Sequence, residues 1–185
     1  MKILVVGPSW VGDMMMSQSL YRTLRARYPQ AIIDVMAPAW CRPLLSRMPE
    51  VNEAIPMPLG HGALAIGERR KLGHSLRERR YDRAYVLPNS FKSALVPFFA
   101  NIPLRTGWRG EMRYGLLNDA RVLDKDAWPL MVERYVALAY DNGVMRCAKD
   151  LPQPLLWPQL QVNEGEKSQA CSAFRSEEHT SELQS

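Results

Sequence analysis

The chain has 185 residues, enough for one substantial α/β domain with its own core and too few for two full ones. Apolar content of 46% and charged content of 23% are ordinary for a soluble globular protein, and a formal charge of +5 leaves an anionic partner open without naming one. Cys41, Cys147 and Cys171 are odd in number, far apart and without metal spacing, which argues against a disulfide framework and for a reducing cytoplasm. The amino terminus lacks a signal-peptide pattern, because Gly12 and Asp13 interrupt the short apolar run before an h-region or membrane span develops, so a cytosolic protein is expected.

Lys2 to Gly7 (KILVVG) reads as a buried parallel strand, and Met15, Ser19, Leu20 and Leu24 then recur at helical spacing. In open α/β sheets the loop between such a strand and helix faces the ligand crevice, with the positive end of the helix dipole directed into it. A dinucleotide fingerprint fails in this loop, since Ser9 stands where a second glycine is required. A P-loop matches Gly7 and Gly12 but then meets Asp13 and Met14 in place of lysine and hydroxyl, which reverses the charge that must face a phosphate. Asp13, in the first helical turn, is instead a candidate general base in the crevice; the competing reading is a plain helix cap.

Farther along, Ala31 to Ala37 reads as a second strand, Trp40 to Met48 as a short helix with Leu44, Leu45 and Met48 inward, and Val51 to Met57 as a third strand region. Gly60, His61 and Gly62 make a flexible loop. Leu64 to Arg80 is a strongly basic amphipathic helix, weakened by Gly67 and Gly73, which is either a solvated surface or a wall facing an anion. Tyr81 to Pro88 is the fourth strand, and Asn89-Ser90 signals the start of a helix over Phe91 to Ala100. That puts Asn89, Ser90 and Lys92 in the same crevice layer as Asp13, and Lys92 in a first helical turn opposes the dipole, which favours a ligand-facing role. Arg105 to Trp108 is a fifth strand before the loop RGEMRYG, where Arg105, Arg109 and Arg113 are candidates for forked contacts to carboxylates or phosphates. Asp124-Lys125-Asp126 superficially matches a metal-binding DxD, but two carboxylates just before a helix more often serve its N-terminus, and no metal is expected. Pro129 to Asn142 is a helix closed by Gly143. Asp150 to Pro158 is a proline-rich linker, and Asn163 with Glu166 can open a further helix.

The stretches MKILVVGPSWVGDMMMSQSLYRTLRARYP, IIDVMAPAWCRPLLSRMPEV, YVLPNSFKSALVPFFA and RTGWRGEMRYGLLND, running to about Phe174, resemble the amino-terminal half of the heptosyltransferase family. The resemblance implies a doubly wound, Rossmann-like parallel α/β sheet that forms the acceptor-binding domain of a two-domain GT-B glycosyltransferase. By it, residues 1–150 are that domain and 151–174 are the linker and start of a nucleotide-sugar domain. It also implies heptose transfer from ADP-heptose to a heptose of the lipopolysaccharide inner core, with inversion and without a cofactor. Asp13 matches the family's proposed base. Ser9, Trp10 and Gly12 of the first loop, Asn89, Ser90 and Lys92 after the fourth strand, and Arg105 and Arg109 are the expected acceptor contacts. A lipid-linked acceptor leaves room for peripheral contact with the cytoplasmic membrane face, and no nucleic-acid partner is expected. Without the nucleotide-sugar half, the chain by itself is expected to transfer no sugar.

Arg175 to Ser185 (RSEEHTSELQS) departs from the family and has no apolar period; one codon choice for it resembles a common sequencing-adapter oligonucleotide, so it is expected to be non-native and outside the fold. A second reading, from a different class, is a non-catalytic module that binds anionic glycolipid or polysaccharide. Continuation of the reading frame into a second Rossmann-like domain discriminates the two.

Overall fold

The computed structural model describes residues 1–58 and 64–182, with 175–182 as backbone alone; the expected loop at Gly60, His61 and Gly62 lies outside the described residues. Six parallel strands form one sheet: β1 (Lys2–Val6), β2 (Ile32–Ala37), β3 (Glu53–Pro56), β4 (Arg83–Val86), β5 (Leu104–Trp108) and β6 (Asp119–Arg121). Their spatial order is β3-β2-β1-β4-β5-β6, so the chain winds outward in one direction from β1 and then returns to lay β4 on its other side. The sheet is the expected doubly wound, Rossmann-like α/β architecture.

The alternation along β1 explains its central place. Ile3 and Val5 enter one core with Leu20, Tyr21 and Leu24 of α1 (Val11–Arg27) and Val132 and Val136 of α5 (Met131–Ala137). Leu4 and Val6 enter the opposite core with Leu76 of α3 (Ile66–Leu76) and Val96 of α4 (Leu95–Phe99). All four β1 side chains are buried, each contributing roughly 1.5–3 kcal/mol by leaving water. A strand apolar on both faces is what a parallel sheet covered on both sides requires.

Several elements differ from the sequence expectation for nonlocal reasons. The expected helix from Trp40 to Met48 is a 3-10 turn, Ala39–Cys41, followed by the single turn α2 (Arg42–Leu45), with Leu45 and Met48 buried as expected. The basic helix expected over Leu64 to Arg80 is α3 followed by a 3-10 turn, Arg77–Arg79. The helix expected over Phe91 to Ala100 opens as a 3-10 turn, Phe91–Ala94, before α4. The helix expected to reach Asn142 stops at Ala137, where the chain tightens: Leu138, Ala139 and Tyr140 donate to carbonyls three residues back. Arg121 of β6 donates to the carbonyls of Ala137 (3.0 Å) and Tyr140 (2.7 Å) while pairing with Asp119 (2.7 Å), so a cation closes that helix end. Strand β6 itself, only three residues long, has no sequence signature of its own. Asp124 does serve the backbone, accepting from the amides of Asp126 (3.0 Å) and Ala127 (3.3 Å).

The proline-rich segment is docked rather than free: Leu151 is buried in the α1 core, and Leu155 and Leu160 pack against it. The final helix, α6 (Glu164–Glu182), runs on through the segment expected to lie outside the fold; its described side chains, through Phe174, are exposed.

Gly73 explains the weakness read into α3. A Cβ there would come within 2.5 Å of Phe99 Cβ and 2.8 Å of the Val96 carbonyl oxygen, so the glycine lets α3 and α4 approach closely and does not break the helix. Helix propensity favours alanine over glycine by about 1 kcal/mol, but overpacking against a backbone oxygen costs about 1–3 kcal/mol. Gly73→Ala is therefore expected to lower the melting temperature, and a rise would show that the α3–α4 contact yields easily.

Candidate active site

β1 and β4 are neighbours, yet the helices that follow them leave for opposite faces of the sheet. The crevice of a doubly wound fold lies at this switch point, outside the carboxyl ends of the strands. Its walls here are the loop after β1, with Pro8, Ser9 and Trp10, and the loop after β4, with Pro88, Asn89 and Ser90. Gly7 N–H donates to the Met36 carbonyl (2.9 Å) and Leu87 N–H to the Val6 carbonyl (3.1 Å), so both loops leave from the last rungs of the ladder.

Two cavities share Ser9 and Pro88. One, of about 290 Å³, is lined by Ser9, Trp10, Asp13, Asn89, Arg134 and Tyr135, with Trp108 at its wall. The other, of about 80 Å³, is lined by Ser9, Trp40, Arg69, Ser90, Lys92 and Ser93. Trp40 Nε1 donates to the Ser9 carbonyl (2.9 Å), which fixes an aromatic ring at the mouth of the smaller cavity. The smaller cavity is thus basic, while the larger one holds the Asp13 carboxylate together with one arginine, Arg134, whose guanidinium donates to the carbonyls of Trp128 (2.7 Å) and Pro129 (3.1 Å).

Asp13 is not the cap of α1. The N-cap position is Trp10, in extended conformation and without a side-chain cap bond, and Asp13 is the third helical residue. Its carboxylate lies in the field of the helix N-terminus and lines the larger cavity. Tyr135, brought over by the packing of α5 on α1, has its phenol pKa pushed well up, first by burial and then by the negative charge of Asp13, so it stays a neutral O–H group beside the carboxylate. Gly12 is exposed, and a Cβ there would meet nothing within 4 Å, so no protein contact requires a glycine at that point.

The other expected residues divide. Ser9, Trp10, Asn89, Ser90 and Lys92 line the crevice, and among the described residues no carboxylate pairs with Lys92. Arg109 is exposed just beyond the carboxyl end of β5, at the rim, and lines neither cavity. Arg105 is not brought to the crevice: it sits near the amino end of β5, three residues or about 10 Å below Trp108. Its guanidinium is already engaged, donating to the carbonyls of Leu116 (2.6 Å) and Ile102 (2.5 Å) and lying 5.6 Å from the Phe98 ring centre. Trp40, Arg134 and Tyr135 were not singled out by sequence as site residues, and Arg69 entered only with the basic helix, one of whose two readings was a wall facing an anion. Arg69 is buried, donates through Nε to the Leu64 carbonyl (2.8 Å), and burial lowers its pKa. A lone arginine inside an otherwise buried helical face was the available signal in α3; Arg134 and Tyr135 carried none, since their nearness to Asp13 depends on the packing of α5.

The model of glycosyltransferase family 9 (heptosyltransferase) matches residues 69–183. The chain belongs to this enzyme family. It is 92% identical over 174 residues to lipopolysaccharide heptosyltransferase 2 of Salmonella typhimurium, covering 94% of this chain and 50% of that protein. It is 90% identical over the same length to lipopolysaccharide heptosyltransferase 2 of Escherichia coli K12. The solved structure of E. coli ADP-heptose LPS heptosyltransferase II superposes with a TM-score of 0.87 at 85% identity, again over 94% of this chain and 50% of that one. A family 9 glycosyltransferase from Veillonella parvula shares the fold at 15% identity, with a TM-score of 0.74. The chain spans about half the length of the curated relatives it matches.

In this family 9 chain the loop after β4 is locked to the end of β5 by the RGEMR segment. A Cβ on Gly110 would fall 2.3 Å from the Asn89 carbonyl oxygen, so only glycine permits the approach. Glu111 donates its N–H to the Asn89 carbonyl (3.1 Å) and accepts from Phe91 N–H (2.7 Å), so it supplies the cap that Ser90 was expected to supply. Arg113 is buried, and its guanidinium forks onto the carbonyls of Pro88 (2.6 Å) and Trp108, with longer bonds to Ser93 Oγ (3.3 Å) and Asn89 Oδ1 (3.4 Å). Burial pushes its pKa down to about 10, which still leaves a cation at neutral pH. The forked contacts expected of Arg113 are therefore made to the protein's own loops. A lysine is a point charge and cannot span these acceptors; Arg113→Lys should cost about 1–3 kcal/mol in denaturant unfolding, the scale of lost charge-assisted bonds. An unchanged midpoint would show that the loops hold without the fork.

Proposed function

We infer that this chain is the acceptor-side half of a GT-B heptosyltransferase that moves heptose from ADP-heptose onto a heptose of the lipopolysaccharide inner core, with inversion at the anomeric carbon. The observation that carries this reading is the position of Asp13: a carboxylate free of capping duty, in a cavity of about 290 Å³ at the switch point of the sheet. In the reaction, the attacking hydroxyl of the acceptor heptose loses its proton to Asp13 as its oxygen bonds the anomeric carbon. The bond to ADP breaks on the opposite side, and oxocarbenium-like charge develops between them. Tyr135, neutral beside the carboxylate, is placed to donate a hydrogen bond within the same cavity.

Lys92 and Arg69, with Ser90 and Ser93, form the basic end of the crevice and would hold acidic groups of the acceptor, with Arg109 at the rim and Trp10 and Trp40 presenting ring faces. ADP-heptose would be held by the half of the protein that the curated relatives have beyond the matched length. No described helix is long and apolar enough to cross a membrane. The proposed reaction uses a carboxylate and cationic side chains and needs no cofactor.

Two measurements test the assignment. In the full-length enzyme, Asp13→Asn keeps size and helix position but removes the proton acceptor, so turnover should fall roughly 10²–10⁴-fold with little change in melting temperature. Unchanged turnover would remove the base. For acceptor binding to this half, affinity should weaken as salt rises, because exposed charges are screened over about 8 Å at physiological ionic strength. Lys92→Ala should flatten that dependence and Arg105→Ala should leave it as it is; the reverse pattern would move the acceptor to the other end of β5.

A further inference from the structure

Helix α1 carries Asp13 in its first turn and, on its buried face, grips the segment that leads away from the domain. Gln18 lies five residues after Asp13, about 7.5 Å farther along the axis, and is fully buried. Its Nε2 donates to the Gln159 carbonyl (2.9 Å) and to Glu50 Oε2 (3.1 Å), and its Oε1 accepts the Gln159 N–H (2.9 Å). The side-chain amide thus forms with residue 159 the paired exchange that neighbouring strands make. One turn on, Arg22 donates to the Trp157 carbonyl and lies 3.8 Å from Glu50.

Beside this grip Leu160 packs against the core and Gln161 N–H donates to the Arg47 carbonyl (2.9 Å). Cavities of about 190 Å³, bordered by Arg22, Glu50 and Gln159, and about 370 Å³, bordered by Arg47, Gln161 and Glu166, lie along the segment's course. Gaps of this kind forfeit dispersion contacts, so the course of residues 157–161 rests largely on hydrogen bonds: those to Gln18 at its centre, with Arg22 on Trp157 and Arg47 on Gln161 at its ends. A surface ion pair such as Arg47 with Glu166 (2.8 Å) adds little.

We propose that Gln18 is a positioning residue for sugar transfer: it sets the course of the connector against the helix that carries Asp13, and so sets how the nucleotide-sugar half is presented to the base. This rests on the reading of the chain as the acceptor half of a two-domain transferase. The coupling is short and rigid, since both groups belong to one 17-residue helix packed in the core.

Gln18→Met keeps the length and buried stem of the side chain and removes all three bonds. In the present chain, hydrogen exchange of the Gln159 amide should accelerate about ten- to a hundredfold, the scale of one to two net hydrogen bonds, while the β1 amides keep their protection. In the full-length enzyme the KM for ADP-heptose should rise severalfold with the KM for acceptor unchanged, a split that simple loss of stability does not produce. Gln159→Pro deletes the donated N–H from the exposed connector side and should raise the donor KM in the same way, even if a buried methionine impairs folding. Unchanged exchange at Gln159 in Gln18→Met, or an unchanged donor KM in Gln159→Pro, would overturn the proposal. Retained turnover in Asp13→Asn would remove the base but leave the donor comparison intact, so the two failures are distinguishable.

Discussion

The shape of the crevice depends on the buried guanidinium of Arg113. It ties the end of β5 to the loop after β4 through the carbonyls of Trp108 and Pro88, with no ion pair of its own among the described residues and only the field of Glu111 to offset its charge. The bonds to carbonyls offset a desolvation cost that alone would expel the group, and the lowered pKa is the sign of that cost. Gly110 and Glu111 complete the lock by admitting the Asn89 backbone and capping the turn at Phe91. With those loops fixed, the loop after β1 and the start of α1 face a rigid wall. A cavity can then stay open beside Asp13 because the surrounding backbone is already bonded elsewhere.

Charge is unevenly divided between the two cavities of this crevice, an arrangement that on the proposed reading suits an acidic acceptor. The carboxylate, the neutral phenol and Arg134 line the larger cavity, while Arg69 and Lys92 line the smaller one across Ser9 and Pro88. On the proposed reading, binding and proton removal fall to different elements, α3 and the turn after β4 for the first and α1 for the second. Several cations elsewhere are committed to structure: Arg121 closes α5, Arg105 holds the loop below β5, and Arg79 pairs with Glu53. A basic composition thus overstates the surface that is open to an anion.

The first strand, its loop and α1 were legible in the sequence because they rest on local period and on the chemistry of one short loop. The same holds for the crevice positions of Asn89, Ser90 and Lys92, which follow from where β4 ends. What was not legible depends on contacts between distant segments. Arg134 and Tyr135 reach Asp13 only through the packing of α5 on α1. The early end of α5 depends on Arg121, in a strand too short to announce itself. Gly73 resembled a helix breaker and is a helix–helix contact. Arg105 and Arg113 looked alike as free forks in an arginine-rich stretch, and only the hydrogen bonds show that both are occupied. The proline-rich segment resembled a loose linker because the residues that hold it and its continuation, Gln18 and Arg22 among them, belong to a helix more than a hundred residues away.

The central claim is that the switch-point crevice receives the acceptor with its reactive hydroxyl at Asp13. A crystal structure of this chain with a lipid-free, heptose-terminated inner-core oligosaccharide tests it most directly. The account predicts a heptose hydroxyl within about 3 Å of the Asp13 carboxylate, the reach a general base requires, and the acidic groups of the oligosaccharide beside Lys92 and Arg69. An oligosaccharide bound elsewhere, along the exposed face of α3 or below β5 at Arg105, with the crevice empty, would contradict it.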